Sequence, residues 1–281
     1  MYDDFSADYD RFVHWPSRLA AELPFLEQQL QGVAARRVLD AACGTGMHAI
    51  ALAQRGYEAV GADLSPAMIE RAQANAAAAG VNVRFAVAGF GTLAQTFSPS
   101  PASTWGEVEG AGVRKGVIPF DALLCLGNSL PHLLTPVDLA IALFDFAACL
   151  RPGGLLLIQN RNFDAVLASG ERWLEPQAHR EGETEWLFLR LYDFERDGTI
   201  TFNLVTLRRE ACPERSEGAS GWSQQVRATQ LWPQRRDDLV AALTAAGFGD
   251  IACWGDMRGM PFDAERSPNL VVTARRGMER S

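Results

Sequence analysis

The residues best suited to chemistry begin with Asp40, followed at once by Ala41-Ala42-Cys43-Gly44-Thr45-Gly46, and continue with a second acid, Asp63. Glycines at such a turn let the backbone reverse sharply and let a ligand approach closely. A Gly-x-Gly turn alone is also shared with nicotinamide-binding folds. A pyrophosphate at the next helix N-terminus would, however, meet the Asp40 carboxylate, which is unfavourable. A ligand carrying a positive amino group and a sulfonium tolerates that acid. Asp63 is placed to accept hydrogen bonds from two ribose hydroxyls, and Leu64 and Met68 to pack on an adenine. The alternative is that Asp63 caps the next helix and Met68 is core.

These residues need elements to hold them at one edge. Arg37 to Asp40 reads as a strand, Met47 to Arg55 as a helix stopped by Gly56, and Glu58 to Ala62 as a second strand. Ser65-Pro66 gives a cap and a proline at the first helical position. Val81 to Val87, Phe120 to Leu126 and Leu155 to Gln159 read as strands three to five. A helix opens at Thr135-Pro136, and Arg151-Pro152-Gly153-Gly154 turns into strand five. Strand–helix alternation implies a doubly wound, mostly parallel Rossmann-like α/β sheet with both faces covered. In such sheets ligands sit beyond the carboxyl ends of the strands.

The alternation then stops. Glu185 to Tyr192, Thr199 to Arg208 and Gln224 to Leu231 read as longer antiparallel strands, with Asp197-Gly198 as a hairpin turn. Trp186, Phe188, Tyr192 and Phe194 alternate at period two and mark the buried face of this lid. The expected division is a helical cap at 1–34, a core at 35–164 and 233–281, and an antiparallel lid at 165–232. The Pro-, Ser- and Gly-rich stretch from Ser98 to Gly116 reads as a surface insertion, and Ala211 to Gly218 as a mobile loop. Closing strands are expected near Ile251 to Trp254 and Leu270 to Ala274.

The set Asp40 to Gly46, strand-end Asp63 and Leu150-Arg151-Pro152-Gly153-Gly154 resembles the class I S-adenosylmethionine-dependent methyltransferases over roughly residues 35 to 160. The resemblance implies that Asp40, Ala42, Cys43, Gly44 and Gly46 surround the methionine portion of S-adenosylmethionine, while Asp63 binds the ribose and Leu64 flanks the adenine. Family members often carry an acid after strand three. Here Val87-Ala88-Gly89-Phe90 stands there, so backbone groups at Gly89 and Phe90 are the adenine candidates.

Cys125-Leu126-Gly127-Asn128-Ser129 and Gln159-Asn160-Arg161-Asn162-Phe163-Asp164 are similar to the glycine and sarcosine N-methyltransferase group, with Phe163 in place of a tyrosine. That resemblance implies that Leu126 faces the cofactor, Asn128 lies at the reaction centre and Arg161 grips a substrate carboxylate. A guanidinium fork matches carboxylate geometry and is costly to bury alone. The alternative pairs Arg161 with Asp164 or another structural acid. N-terminal aromatic and basic residues close over the cofactor in related enzymes, which makes Tyr9, Trp15 and Arg18 candidates. Tyr9 and Trp15 read equally well as core. Tyr192 is a candidate for the pocket. His132 reads as a packed histidine, with a general base as the alternative.

The implied reaction is direct displacement, a neutral nitrogen attacking a methyl group on the sulfonium, with the protein aligning, neutralising and excluding water. Rival classes are an O-methyltransferase on a small carboxylate or hydroxyl compound, a nicotinamide oxidoreductase and a non-catalytic S-adenosylmethionine-binding protein. A formal net charge of -8 and the absence of an Asn-Pro-Pro-Tyr run argue against nucleic acid. His14, His48, His132 and His179 have no metal-ligand spacing. No apolar run reaches the length of a membrane span, the N-terminus is unlike a signal peptide, and the five cysteines form no C-x-x-C pair. A cytoplasmic protein acting on a small molecule is expected. The sequence carries no signal of oligomeric state.

Overall fold

The computed structural model describes residues 8–97, 119–210 and 221–278. The expected insertion at 98–116 and the loop at 211–218 lie outside the described residues. A short helical turn at 8–12 leads into helix α1 (Trp15–Gln31), which buries Trp15, Leu23, Phe25, Leu26 and Leu30. Then come β1 (Arg37–Asp40), α2 (Met47–Ala53), β2 (Glu58–Asp63), α3 (Pro66–Ala78), β3 (Arg84–Val87) and α4 (Leu93–Phe97). They are followed by β4 (Phe120–Cys125), a 3-10 turn at Leu130–His132, α5 (Pro136–Cys149), β5 (Leu150–Arg161) and α6 (Phe163–Ser169). Helix α7 (Arg236–Ala245) and strands β10 (Phe248–Trp254) and β11 (Asn269–Arg276) close the chain.

These strands form a seven-stranded sheet of order β10-β11-β5-β4-β1-β2-β3. Strands β1 to β5 run parallel to their neighbours, and β11 is antiparallel to both β5 and β10. Apolar layers cover the two faces: Leu39, Leu123, Leu143, Phe146 and Leu156 on one, and Val38, Leu52, Leu124, Leu155 and Leu157 with helix α1 on the other. Side chains alternate along each strand, so residues next to each other in β1 and β4 feed opposite layers. The chain reverses direction across the sheet between β1 and β4, which opens a crevice at their carboxyl ends.

The second sheet is antiparallel and four-stranded, β6 (Trp173–Glu181), β7 (Thr184–Phe194), β8 (Ile200–Arg209) and β9 (Trp222–Leu231), in that order. It adds a strand that the sequence reading lacks. Strand β6 is largely exposed, with Leu174 its packed residue, and contains Pro176, which the sheet accommodates at an edge, at a register shift between Leu174 and Gln177. Trp186, Phe188 and Tyr192 are buried as expected, but Phe194 is 38% exposed at the end of β7, beyond the covered face. Two further boundaries differ. Strand β3 begins at Arg84, and β5 begins at Leu150, with Arg151 to Gly154 forming an irregularity in the strand around Gly153 at φ +71°.

The ring of Phe85 fills the space between the first two loops. A Cβ added at Gly61 on β2 would lie 2.5 Å from Phe85 Cδ1 and 3.0 Å from Cys43 Sγ. Gly61→Ala is expected to cost about 1–3 kcal/mol through overpacking, read as a lower urea midpoint at constant slope; an unchanged midpoint would show that Phe85 repacks without penalty.

Candidate active site

The turn after β1 is built from backbone conformations that side chains resist. Gly44 and Gly46 have φ of +53° and +80°. A Cβ at Gly46 would also stand 2.8 Å from the Phe85 ring and 2.9 Å from Ala72 Cβ, so this glycine is required for packing as well as for the turn. Ala42 is half-buried in this turn and Cys43 is buried behind it, where desolvation holds its thiol well above the usual range.

Two carboxylates brace the turn. Asp63 Oδ2 accepts the Gly44 N–H at 2.9 Å, and Oδ1 accepts the Ser65 N–H at 2.9 Å. The cap of α3 is Ser65, whose hydroxyl oxygen accepts the Met68 N–H. The helix-cap alternative for Asp63 therefore gives way to a clamp across the ends of β1 and β2. Asp10, which the sequence reading missed, is the second brace. Its Oδ1 accepts from the Thr45 hydroxyl at 2.6 Å and Trp15 Nε1 at 2.9 Å, and its Oδ2 from Arg71 Nε at 3.0 Å and Asn75 Nδ2 at 3.3 Å. No motif marks Asp10; its neighbourhood of Tyr9, Phe12 and Trp15 was the available signal.

Asp40 is different. It is 2% exposed; neither carboxylate oxygen meets the full geometry of a hydrogen bond among the described residues, although the Ala42 N–H comes near enough to lower its carboxyl. Burial pushes its carboxyl up to about 6, with His48 pulling it down and Asp63 adding to the rise. An unpaired buried acid beside a glycine turn fits a ligand ammonium, the group that would complete its bonding. Behind it runs a network from α1: Glu22 Oε2 meets His48 Nε2 at 2.7 Å, and Arg18 Nε donates to Glu22 Oε1 at 3.0 Å. Burial works to raise the Glu22 carboxyl, but His48 and Arg18 hold it below the usual range.

The N-terminal candidates divide. Tyr9 stands over the turn, its ring 3.7 Å from where a Cβ on Gly44 would lie, and its hydroxyl accepts from Arg18. Arg18 also reaches the turn after β4, 3.9 Å from a Cβ position on Gly127. Trp15 is buried, edge-on to His48, and carries the Arg18 guanidinium over its ring, so it is a structural post.

The adenine candidates also divide. Leu64 is 75% exposed and lies 3.1 Å from a Cβ position on Gly89. Met68, on the inner side of α3, is 2% exposed, as buried as Asp40. Phe90 packs edge-on against Phe146. The loop carrying Gly89 and Phe90 is held by Asp145, a buried acid accepting the N–H groups of Gly91, Leu93 and Ala94. This is an anchor that sequence reading did not single out.

On the acceptor side, Leu126 is buried at the end of β4. Asn128 has a left-handed φ of +65°; its N–H donates to Gln159 O at 3.0 Å and its Oδ1 accepts the Arg161 N–H at 2.8 Å. Gln159 Oε1 takes the Gly127 N–H at 2.8 Å. The two chemically marked stretches are thus stitched together. Arg161 donates to the Tyr192 hydroxyl oxygen, and its buried Nε has no partner. Asp164, its proposed structural partner, instead meets the Arg236 N–H and Arg235. Phe163 is fully buried with Tyr192, Ile200 and Leu231. His132 lies under the lid with Nδ1 3.5 Å from Thr229 Oγ1, and burial pushes it down to about 4. That makes it a weak base and favours the packed-histidine reading.

A seven-stranded sheet with this order, a glycine turn after β1 and acids at two strand ends define an S-adenosylmethionine-dependent methyltransferase. Residues 38–101 match the methyltransferase domain family. The fold is shared with an S-adenosylmethionine-dependent methyltransferase from Clostridium acetobutylicum ATCC 824, at a TM-score of 0.69 and 14% identity over 99% of both chains. The chain is 35% identical over 216 residues to a glycine/sarcosine N-methyltransferase of Parasynechococcus marenigrum (strain WH8102), covering 73% of this chain and 70% of that protein. It is 28% identical over 260 residues to the glycine/sarcosine N-methyltransferase of Aphanothece halophytica, covering 91% of this chain and 82% of that one. The chain belongs to the glycine/sarcosine N-methyltransferase family, and its cofactor is S-adenosylmethionine. No helix among the described residues is long and apolar enough to cross a membrane.

Two outcomes follow for cofactor binding. The ammonium needs Asp40 ionised, and its carboxyl titrates at about 6. Affinity by calorimetry is therefore expected to be level above pH ~7 and to fall up to about tenfold per unit below pH ~6. Asp40→Asn should weaken binding at high pH and abolish that slope; a wild-type affinity flat down to pH ~5 would refute the role. Asp10→Ala should raise the cofactor Kd about tenfold or more by freeing Thr45, while Kd unchanged would make Asp10 a brace for the arm alone.

Proposed function

We propose that this enzyme transfers the methyl group to the amine nitrogen of a small amino acid such as glycine or sarcosine. The observation that carries this reading is Arg161, a partly buried guanidinium at the end of β5 with a partnerless Nε, next to Asn128. A buried cation of this kind asks for an anion, and its forked geometry suits a carboxylate. The names of the two relatives point to the same acceptor class.

S-adenosylmethionine supplies, when bound, an electrophilic methyl group. Asp40 would hold its ammonium, the turn at Ala42, Cys43, Gly44 and Gly46 its methionine backbone, Asp63 its ribose, and Leu64 with Gly89 and Phe90 its adenine. The chain's remaining work is placement. Arg161 holds the acceptor carboxylate, with Tyr192 fixing the guanidinium. Asn128, its Oδ1 locked by the Arg161 N–H, keeps two amide hydrogens that would serve as donors at the reaction centre. Leu126 and the aromatic lid residues exclude water. With His132 pushed down to about 4, no side chain here is a strong base, so the nitrogen's proton leaves to water.

The test is incubation with methyl-labelled S-adenosylmethionine and a pool of small amines and carboxylates, followed by mass spectrometry of labelled products. A labelled N-methyl amino acid, absent with Asp63→Ala, is expected. Arg161→Gln should raise the acceptor KM by about 10- to 100-fold and leave cofactor affinity unchanged. A labelled ester or ether would establish O-transfer instead, and cofactor binding without any small labelled product would overturn the amino-acid reading.

A further inference from the structure

The antiparallel sheet has two faces, and only the inner one is covered by the rest of the chain. Strand β7 reads Trp186-Leu187-Phe188-Leu189-Arg190-Leu191-Tyr192. Trp186, Phe188 and Tyr192 are buried on the inner face. The positions between them that point outward are Leu187, Leu189 and Leu191. The strand therefore lacks the polar alternation of a sheet with one face in water. A near-continuous apolar run is the pattern of a strand covered on both sides.

The ladder carries this pattern across the sheet. Leu187 stands opposite Leu207, and Leu189 opposite Val205, which in turn stands opposite Val226 of β9. Directly paired residues share a face. Leu187, Leu189, Leu191, Val205, Leu207 and Val226 thus form one apolar patch on the outer side. None of them joins a buried cluster of the described residues. Val226 is 60% exposed. Trp173, opposite Leu191, is 61% exposed at one corner, and Trp222, opposite Arg209, stands at the diagonal corner. The charges lie at the two ends and are paired within the chain, Glu185 with Arg209 and Asp193 with Arg172. An apolar centre, aromatic corners and a polar rim make up a protein interface.

We propose that this outer face is the contact between two copies of the chain, sheet stacked on sheet about a twofold axis. A twofold contact joins a surface to itself, and apolar sheet faces stack on one another in this way. The end charges are neutralised within each copy, so a stacked copy meets no unpaired charge. Four strands of about ten residues cover roughly 600 Å2, and two copies would bury roughly 1,200 Å2 in all, enough for a specific dimer. The other exposed apolar strip, Val137, Ile141 and Phe144 on α5, is only one helix wide. The proposal goes beyond the amino-acid reading and does not depend on which acceptor is used. It would hold the lid from the side away from the crevice, while the buried aromatics of the same strands hold it from within.

Light scattering on the full chain after size-exclusion chromatography reads the assembly directly. Wild type is expected at twice the chain mass at about 10 µM, since interfaces of this class reach micromolar affinity or better. Val226→Glu should be monomeric there, its dimer Kd raised about 100-fold or more by an unpaired carboxylate in an apolar contact. Trp173→Glu, on the far edge, should act in the same way. Both positions are more than half exposed in the single chain, so both variants should keep the wild-type circular dichroism and cofactor Kd. Val226→Thr keeps the β-branched shape and should raise the dimer Kd by only about tenfold, which separates a lost contact from a lost fold. Val137→Glu, on α5, should leave the dimer intact. A wild type that stays monomeric at about 100 µM, weaker than an interface of this size allows, would overturn the proposal. So would a dimer that survives both lid charges, or one that Val137→Glu dissolves.

Discussion

The hydrogen bond from the Gly44 N–H to Asp63 governs the geometry of this molecule's active edge. It spans the ends of two neighbouring parallel strands and fixes a turn whose glycines sit at left-handed φ. A carboxylate accepting backbone N–H groups on both oxygens is a strong, directional anchor. With the turn fixed in this way, Asp40 cannot move to find a partner. Its poorly satisfied burial is a consequence of the rigidity around it, and a bound cation would satisfy it. The fold therefore holds a local destabilising group in place because the surrounding contacts over-determine the turn.

The N-terminal arm extends the same constraint outward. Asp10 joins the turn, α1 and α3 through Thr45, Trp15, Arg71 and Asn75. Immediately beside it, Tyr9 covers Gly44 and packs on Phe12, which meets Phe188 of the lid edge-on at a centroid distance of 5.5 Å. Arg11 lies over Trp186. Arm, glycine turn and lid are thus one continuous set of contacts. A ligand that displaces Tyr9 from the turn must disturb the packing that seats the lid, which ties cofactor entry to acceptor enclosure.

Sequence pattern revealed what depends on local chemistry. The strand ends, Ser65 and Thr135 caps, and the Asn128 and Arg161 stretches were legible because each needs particular residues close together in the chain. Strand β6 was not, because an edge strand needs no apolar alternation and Pro176 argues against a central one. Asp10, Glu22 and Asp145 were not, because their partners lie far away in sequence: Asp145 holds N–H groups of a loop more than fifty residues earlier. Of the two apolar residues after Asp63, helical geometry turns Met68 inward while Leu64, ahead of the Ser65 cap, stays exposed.

Arg190 shows what a period-two reading can reveal when it is carried past the aromatics. The alternation Trp186, Phe188, Tyr192 skips a position, and parity places an arginine there. Arg227 shares the inward parity on β9; its terminal nitrogens meet Thr206 and Gln225, and its Nε, like that of Arg190, makes no hydrogen bond among the described residues. The cofactor half of the crevice is made of backbone and acids that suit one ligand whatever the acceptor. Acceptor selection would then fall to the inner face of the lid, which lies outside the turn that holds the cofactor.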